Sequence, residues 1–327
     1  MRRFLFFTVL LSVSTAVWSQ RGNSSFDYLL MPQSARSAAT GGYNVSIVET
    51  DASLIYDNPA FLGAELDKTL LVNYLSYIAD IGVGNITFTK KINDKTAFGV
   101  GAIYTNYGNM LEINEMGDVL GDLKASDICA NFFVAHDLTE KLRGGITGKF
   151  MYSNYAHNTA IGLGVDLGLS YYDNESGASL GLVAKNLGRQ VKAYEDELAS
   201  LPWDIQLGYT QKFPHAPLRL SVTANHLKQW KFNDIYSEDD AFMKTAWKHL
   251  ILGGEILLSD NFWIALGYNV KRGEDMQLEE GSRLNGFSIG FGLRVKQFGI
   301  ACSAGRYNVG ATSLLFSLST NFAQTAL

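Results

Sequence analysis

Large apolar and small side chains alternate in the segment Phe287-Ser288-Ile289-Gly290-Phe291-Gly292-Leu293-Arg294-Val295. Successive side chains of a strand point to opposite faces, so a period of two predicts a β-strand. The face opposite the apolar one carries Gly and Ser with an occasional charge, which indicates an enclosed face rather than a solvated one. An apolar outside and a small, polar inside predict a transmembrane β-barrel, because only a closed sheet leaves no backbone group unpaired in lipid.

The composition agrees with a barrel and excludes some other classes. The 327 residues include 32 Gly but 5 Pro, and 12% are aromatic, which is typical of short strands with aromatic girdles. A net charge of -5 argues against a nucleic-acid partner. Of the 2 cysteines, Cys129 is predicted to face inward and Cys302 outward, so we expect no disulfide between them.

The first residues are those of a secretion signal. Arg2 and Arg3 precede an apolar stretch from Phe4 to Val13, and small residues follow, so residues 1–20 are predicted to be removed. No Cys lies at the predicted cleavage site, which excludes a lipoprotein. Beyond it no apolar run approaches the roughly 18 residues that a membrane helix needs. Any spanning of a membrane is therefore predicted to use strands.

Residues 21–67 do not alternate and are rich in small side chains. We predict short helical turns that fill or underlie the barrel as a hatch; a flexible periplasmic lead is the alternative. Residues 68–327 are predicted to form the barrel, with about fourteen antiparallel strands. The predicted segments are Thr69–Tyr77, Gly82–Lys91, Thr96–Tyr107, Ala125–His136, Leu142–Asn154, Thr159–Tyr172, Ala178–Asn186, Trp203–Phe213, Leu218–Trp230, His249–Leu258, Phe262–Lys271, Leu284–Lys296, Phe298–Tyr307 and Thr312–Phe322.

The connectors alternate between short turns and longer loops, as in outer-membrane barrels with periplasmic turns and exterior loops. The long ones are Gly108–Lys124, Leu187–Pro202, Lys231–Lys248 and Arg272–Arg283. They carry many acids, which could bind divalent cations shared with lipopolysaccharide, or a basic partner; a solvated surface is the simpler interpretation. The acids are Glu112, Glu115, Asp118, Asp122, Glu195, Asp196, Glu197, Glu238, Asp239, Asp240, Glu274, Asp275, Glu279 and Glu280.

The sequence contains matches to known motifs, but their surroundings do not suit catalysis or metal binding. Gly286–Gly290 matches G-x-S-x-G, but Ser288 lies within a strand pattern and not at the sharp turn that a nucleophile needs. Gly164–Gly168 matches a helix-pairing motif within an alternating segment, so its glycines are predicted to face the lumen. The 5 His residues show no metal spacing. We therefore predict no enzyme activity, metal or cofactor.

Charged residues of both signs are predicted on the inner face. Mixed signs favour internal ion pairs that brace a plugged barrel over a selective pore. The residues are Lys149, Asp166, Lys185, Arg219, Glu255 and Arg294.

Two runs resemble the N-terminal hatch of the FadL-like outer-membrane family. They are Ala35-Arg36-Ser37-Ala38-Ala39-Thr40-Gly41-Gly42 and Asp51-Ala52-Ser53-Leu54-Ile55-Tyr56-Asp57-Asn58-Pro59-Ala60. The family's Asn-Pro-Ala element matches Asn58, Pro59 and Ala60, and Gly41 with Gly42 completes the hatch motif. The family has a fourteen-stranded barrel. The chain is most similar to the PorV/PorQ branch, which accompanies the type IX secretion system.

The resemblance implies a role in a cell-surface attachment complex and no reaction. A barrel of this branch anchors a PorZ-like surface protein, together with a PorU-like sortase and a PorV-like barrel that attach cargo to lipopolysaccharide. The alternative is a FadL-like transporter of hydrophobic small molecules, although no dedicated substrate-binding set is evident. A third possibility, an outer-membrane hydrolase, would need a Ser or an acid near His226 or His249.

Overall fold

A computed structural model describes residues 25–108, 110–113, 116, 118–156, 158–194, 198–230, 242–276, 285–307 and 311–323. The predicted signal, residues 1–20, lies outside this range. So do many of the acidic loop residues: Glu115, Glu195, Asp196, Glu197, Glu238, Asp239, Asp240, Glu279 and Glu280.

Fourteen of the described strands close into one antiparallel barrel, and two more form a separate hairpin. The first and last strands of the barrel pair with each other and complete the cylinder. The barrel strands are β1 (Thr69–Ser76), β2 (Gly82–Asn93), β3 (Thr96–Asn106), β6 (Ala125–Asp137), β7 (Leu142–Tyr155), β8 (Asn158–Asp173), β9 (Ala178–Lys192), β10 (Asp204–Lys212), β11 (Leu218–Ala224), β12 (Leu250–Ser259), β13 (Phe262–Asn269), β14 (Phe287–Val295), β15 (Phe298–Gly305) and β16 (Ser313–Asn321). The predicted fourteen-stranded barrel is confirmed.

The two faces of the wall differ as the alternation predicts. Large apolar side chains point outward and are exposed, which suits contact with lipid tails. Within the described residues no helix is long and apolar enough to span a bilayer. The outward side chains include Tyr74, Ile86, Val100, Phe132, Ile146, Leu167, Leu182, Leu207, Val222, Leu266, Phe291, Ile300 and Phe316.

Residues 25–67 fill the lumen and are called the hatch. They form helix α1 (Ala35–Ala39) and four short 3-10 turns, at Asp27–Leu30, Ala52–Tyr56, Pro59–Phe61 and Ala64–Leu66. Their apolar side chains share one buried core with inward residues of β1, β2, β3, β6 and β7, including Leu54 and Phe133. The predicted helical turns inside the barrel are therefore present, and the flexible lead is wrong for residues 25–67.

Long connectors cluster at one end of the barrel, which we call the loop end; the opposite end is the turn end. The loop end carries the hairpin of β4 (Met110–Ile113) and β5 (Val119–Leu123), helix α2 (Phe242–Lys248) and helix α3 (Val270–Asp275). The hatch begins at the loop end, where Ser25 N donates to Ser200 O, and reaches β1 at the turn end.

Several predicted strand boundaries differ from those of the structure, and three of the differences have a local cause. Strand β9 continues to Lys192 rather than ending at Asn186, so part of the predicted loop Leu187–Pro202 is strand. The alternation breaks there because Lys185 and Asn186 both point inward at a β-bulge. Strand β11 was predicted to continue to Trp230 but ends at Ala224.

The other two boundaries follow from side-chain hydrogen bonds. Beyond β11, the Asp204 carboxylate accepts from His226 N at 2.9 Å, and His226 turns the chain with a φ of 55°. The predicted strand Phe262–Lys271 ends at Asn269, whose side chain accepts from Arg272 N at 3.0 Å and caps helix α3.

Candidate functional site: the hatch and the loop end

The Asn-Pro-Ala element sits against a glycine pair in the barrel wall. Gly145 of β7 and Gly168 of β8 are cross-strand partners. A Cβ at Gly145 would lie 2.3 Å from the carbonyl carbon of Pro59, and one at Gly168 would lie 2.1 Å from Asn58 Oδ1. Asn58 Oδ1 also accepts from Ala60 N at 3.0 Å. The hatch backbone approaches the wall so closely here that only glycine fits beneath it.

Asn58 also links separate parts of the structure. Its Nδ2 donates to the carbonyl oxygens of Val45 in the hatch and Leu169 in β8, at 3.0 and 3.1 Å. The side chain is fully buried, so each of these bonds replaces one to water. Asn58 therefore joins two hatch segments to the wall.

Two further glycine pairs hold the hatch farther along the barrel wall. Gly181 and Gly208 pair across β9 and β10, and a Cβ at Gly181 would lie 1.7 Å from Val45 O. Gly253 and Gly267 pair across β12 and β13, and a Cβ at Gly267 would lie 2.1 Å from Gly41 N. The three pairs form a set of docking points around the lumen.

Gly41 and Gly42 lie at the loop end with φ values of 112° and 114°, a conformation that favours glycine. Arg272 Nη2 donates to Gly41 O at 2.6 Å. The Arg272 guanidinium stacks on the Tyr307 ring, 4.1 Å from its centroid. Helix α3 is thereby tied to the hatch beneath it.

A four-charge cluster fixes the hatch to strands β11 and β12. Glu255 is buried and accepts from Arg36 Nε at 2.7 Å and from Arg219 Nη1 at 3.0 Å. Arg219 also pairs with Glu49 of the hatch. The two arginines and two carboxylates balance, so the lumen carries no net charge here. Arg36 also lies over the Trp263 ring, 4.7 Å from its centroid.

Two further pairs of opposite charge face inward. Lys149 lies 2.7 Å from Asp166, and Lys185 lies 3.9 Å from Asp57 of the hatch, which also accepts from Ser37 Oγ. Burial raises the pKa of the Asp57 carboxyl to about 6, because the loss of water outweighs the nearby ammonium and hydroxyl groups. Ion pairs are therefore present for five of the six charges that were predicted to face inward, and the sixth, Arg294, donates to Thr50 O instead.

Cavities remain at both ends of the hatch. At the loop end, one of about 270 Å³ and one of about 280 Å³ share Leu30, Pro32 and Tyr307. The first is lined by tyrosines and the second carries cationic side chains: Tyr28, Tyr77 and Tyr107, and Lys271 and Arg272. At the turn end, a mixed polar and apolar cavity of about 650 Å³ lies beside Arg36 and Arg294.

Residues weighed for chemistry have structural partners. Ser288 lies in β14 and donates to Ala39 O at 3.0 Å, so it is a hatch contact. His249 Nδ1 lies 2.8 Å from Asn225 O, and His226 Nδ1 lies 3.9 Å from Asp204 Oδ2. Cys129 and Cys302 are both free. Among the described residues no group of His, Cys, Asp and Glu could hold a metal.

Comparison with solved structures identifies the architecture. The Pseudomonas putida toluene transporter TodX matches with a TM-score of 0.57 at 14% sequence identity, over 92% of this chain and all of that one (100%). A Pseudomonas aeruginosa FadL homologue matches with a TM-score of 0.53 at 13% identity, over 89% of this chain and 98% of the homologue. The fold is that of the FadL-like outer-membrane barrels. A TodX ΔS2S3 mutant, described as a monoaromatic hydrocarbon channel, matches at 0.57 and 15% identity, over 91% of this chain and 100% of its own.

The comparisons of sequence found no match. No protein-family model matches it, and no curated protein matches it. The FadL-like fold that the resemblance of the hatch motif predicted is confirmed. Sequence analysis missed the glycine pairs, although their signal, small residues spaced to meet across neighbouring strands, is present in the chain.

Proposed function

We propose that the protein is a non-enzymatic outer-membrane anchor whose loop end holds a surface protein. The observation that carries the proposal is the filled lumen. The hatch shares a continuous apolar core with one side of the wall and is fixed to the other by the cluster of Arg36, Arg219, Glu49 and Glu255. A barrel whose lumen is filled and fixed in this way is a rigid support for a bound surface protein.

The hatch motif supports a finer assignment within this proposal. Its likeness to the PorV/PorQ branch favours a place in the type IX attachment complex, with a PorZ-like surface protein as the direct partner. A PorU-like sortase and a PorV-like barrel would share that complex, and lipopolysaccharide would surround it. The loops would then face the cell exterior.

Purification of the tagged barrel from native outer membranes in mild detergent tests the anchor. We expect a surface protein to co-purify in a fixed ratio and to be shed into the medium by a deletion strain. A different outer-membrane barrel purified in parallel controls for carry-over of abundant proteins. Recovery of the barrel alone, with the surface proteins of the deletion strain still in place, would contradict the proposal.

Uptake of hydrophobic small molecules is the second candidate, and two observations favour it. The fold is shared with a toluene transporter, and the tyrosine-lined cavity beside Tyr107 could take an apolar ligand at the loop end. An adjoining cation, Arg272, could hold a carboxylate. The fold neighbours support this candidate more directly than they support anchoring.

Uptake assays separate the two candidates. Transport predicts that the deletion strain takes up labelled toluene or a labelled fatty acid more slowly, and that Tyr107→Ala slows uptake without releasing any surface protein. Anchoring predicts unchanged uptake and loss of the surface protein.

A further inference from the structure

The outward face of strands β6 to β9 contains a groove surrounded by large apolar side chains. Gly148 of β7 forms its floor, because a Cβ there would meet no atom within 4 Å. The groove has a volume of about 410 Å³ and opens on the lipid-facing side of the wall, and we call it the Gly148 groove. Its apolar walls are Phe132, Phe150, Leu163, Val165 and Leu187.

Strand register places two cations directly beside the Gly148 groove. Arg189 of β9 is the cross-strand partner of Leu163, and Lys192 is the partner of Ile161, two residues away along β8. Cross-strand partners project from the same face of a sheet, and Leu163 is half exposed on the outside. Both cations therefore point outward, and both are exposed. Two residues along a strand span about 7 Å.

A β-bulge turns Arg189 outward. Val183 and Lys185 point into the lumen, so Arg189 would point inward too if the alternation continued. Asn186 is buried as well and shifts the alternation by one residue. It has a φ of 55°, and its backbone N donates to Asp166 Oδ1 at 2.7 Å. The wall is thus built to present Arg189 on its lipid-facing side.

The charges of both cations remain available. Arg189 Nε donates to Gln190 O at 3.4 Å, and Lys192 Nζ donates to Thr159 Oγ1 at 2.6 Å. Both acceptors are neutral, and among the described residues no carboxylate pairs with either cation. An anion that reached this part of the wall would therefore meet two uncompensated positive charges.

The two cations lie at one edge of the apolar belt. The outward side chains of β8 run from Ile161 to Tyr171 at the turn end, close to the length of a belt about 25 Å tall. Tyr152, the partner of Ile161 in β7, lies at the other edge, where an aromatic girdle is expected. Side chains at this level meet lipid headgroups, and the Gly148 groove lies deeper, among acyl chains.

We propose that this part of the wall is a binding site for a phosphorylated glycolipid with several acyl chains, the chemistry of lipid A. Arg189 and Lys192 bind a phosphate, and an acyl chain lies in the Gly148 groove. A zwitterionic lipid would bring its own ammonium group against the two cations. A second copy of this chain, related by a two-fold axis, would bring the same two cations.

The site is the same whether the barrel anchors a protein or transports a ligand. It requires that the loop end face the cell exterior, since lipid A belongs to the exterior leaflet.

Native mass spectrometry of the full barrel in detergent micelles tests the site. The probes are synthetic lipid A with two phosphates and the same lipid without phosphates. We expect the wild-type barrel to bind the phosphorylated lipid about tenfold or more tightly, because two cations near the headgroup contribute. Arg189→Gln/Lys192→Gln should abolish this preference and leave the affinity for the dephosphorylated lipid unchanged.

A second variant tests the groove separately from the cations. Gly148→Leu fills the groove and should weaken the binding of both lipids about tenfold, as the loss of two buried methylene groups would. The matched control Lys90→Gln/Lys95→Gln removes two exposed cations at the turn end and should change neither affinity. Heat-modified gel migration verifies that each barrel is folded.

Four results would overturn the proposal. They are equal affinity of the wild-type barrel for the two lipids, an unchanged preference in the Arg189→Gln/Lys192→Gln variant, tighter binding of phosphatidylglycerol than of lipid A, and a dimer of this chain in place of the lipid complex. None of them depends on whether a surface protein co-purifies, so this proposal and the anchoring function fail separately.

Discussion

Replacing Glu255 with alanine should release the hatch while leaving the barrel intact. Glu255 is 1% exposed and is shared by Arg36, at 2.7 Å, and Arg219, at 3.0 Å. Without it, Glu49 alone faces two buried guanidinium groups. Removing one partner of a buried ion pair costs about 3–5 kcal/mol, because a buried charge is left uncompensated. About 4 kcal/mol corresponds to roughly a thousandfold change in the equilibrium between docked and released hatch.

Amide hydrogen exchange of the barrel in detergent micelles measures this directly, because exchange reports the free energy of local opening. We expect peptides from residues 35–62 to lose about a thousandfold of their protection in Glu255→Ala. The exchange rates of amides in β6 and β7, which contact the hatch through apolar side chains, should be unchanged. The double variant Arg36→Met/Glu255→Met leaves Arg219 with Glu49, a neutral pair, and should restore most of the protection.

Asp94→Ala, in the exposed turn after β2, serves as the control and should leave hatch exchange unchanged. Unaltered exchange of the hatch in Glu255→Ala would refute the reasoning. So would an equal loss of protection throughout the strands, since that would show the cluster supporting the barrel rather than the hatch.

Further changes test the docking points and the buried acid. Gly181→Val should expel the hatch, because its Cβ would lie 1.7 Å from a backbone carbonyl oxygen. The control Gly148→Val, whose Cβ would meet open space, should leave the hatch docked. Protease digestion of the hatch distinguishes the two outcomes. Asn58→Ala should weaken hatch docking by about 1–3 kcal/mol, seen as faster exchange, because it leaves buried carbonyl groups unpaired. The raised pKa of Asp57, about 6, means that the folded state binds a proton more tightly than the released hatch. Hatch docking should therefore weaken as pH rises from about 4 to 6, and Asp57→Asn should flatten that profile.

The barrel could be predicted from the sequence because lipid imposes a simple rule on its outer face. Each outward position in a segment such as Phe287–Val295 must be apolar, and this leaves a period of two that can be counted. The rule fails where two successive residues turn inward, as Lys185 and Asn186 do at the bulge in β9. The strand end was therefore misplaced at that position.

The hatch and the loop end were harder to predict because no such rule governs them. The resemblance located Asn58 and Pro59, but their seat on Gly145 and Gly168 depends on the register between β7 and β8, which one strand alone does not define. Helix α2 was missed for a different reason. It lies within the connector Lys231–Lys248, which was predicted as a loop, and its seven residues are too few to show a helical period.

The path of the hatch constrains the order in which the protein assembles. Its chain runs the length of the lumen, starting at the loop end near Ser200 and leaving at the turn end into β1. A folded segment that meets the wall backbone to backbone at three glycine pairs enters more readily while the sheet is still open than after it has closed. We therefore expect the sheet to form around the hatch, and the pairing of β1 with β16 joins its two ends.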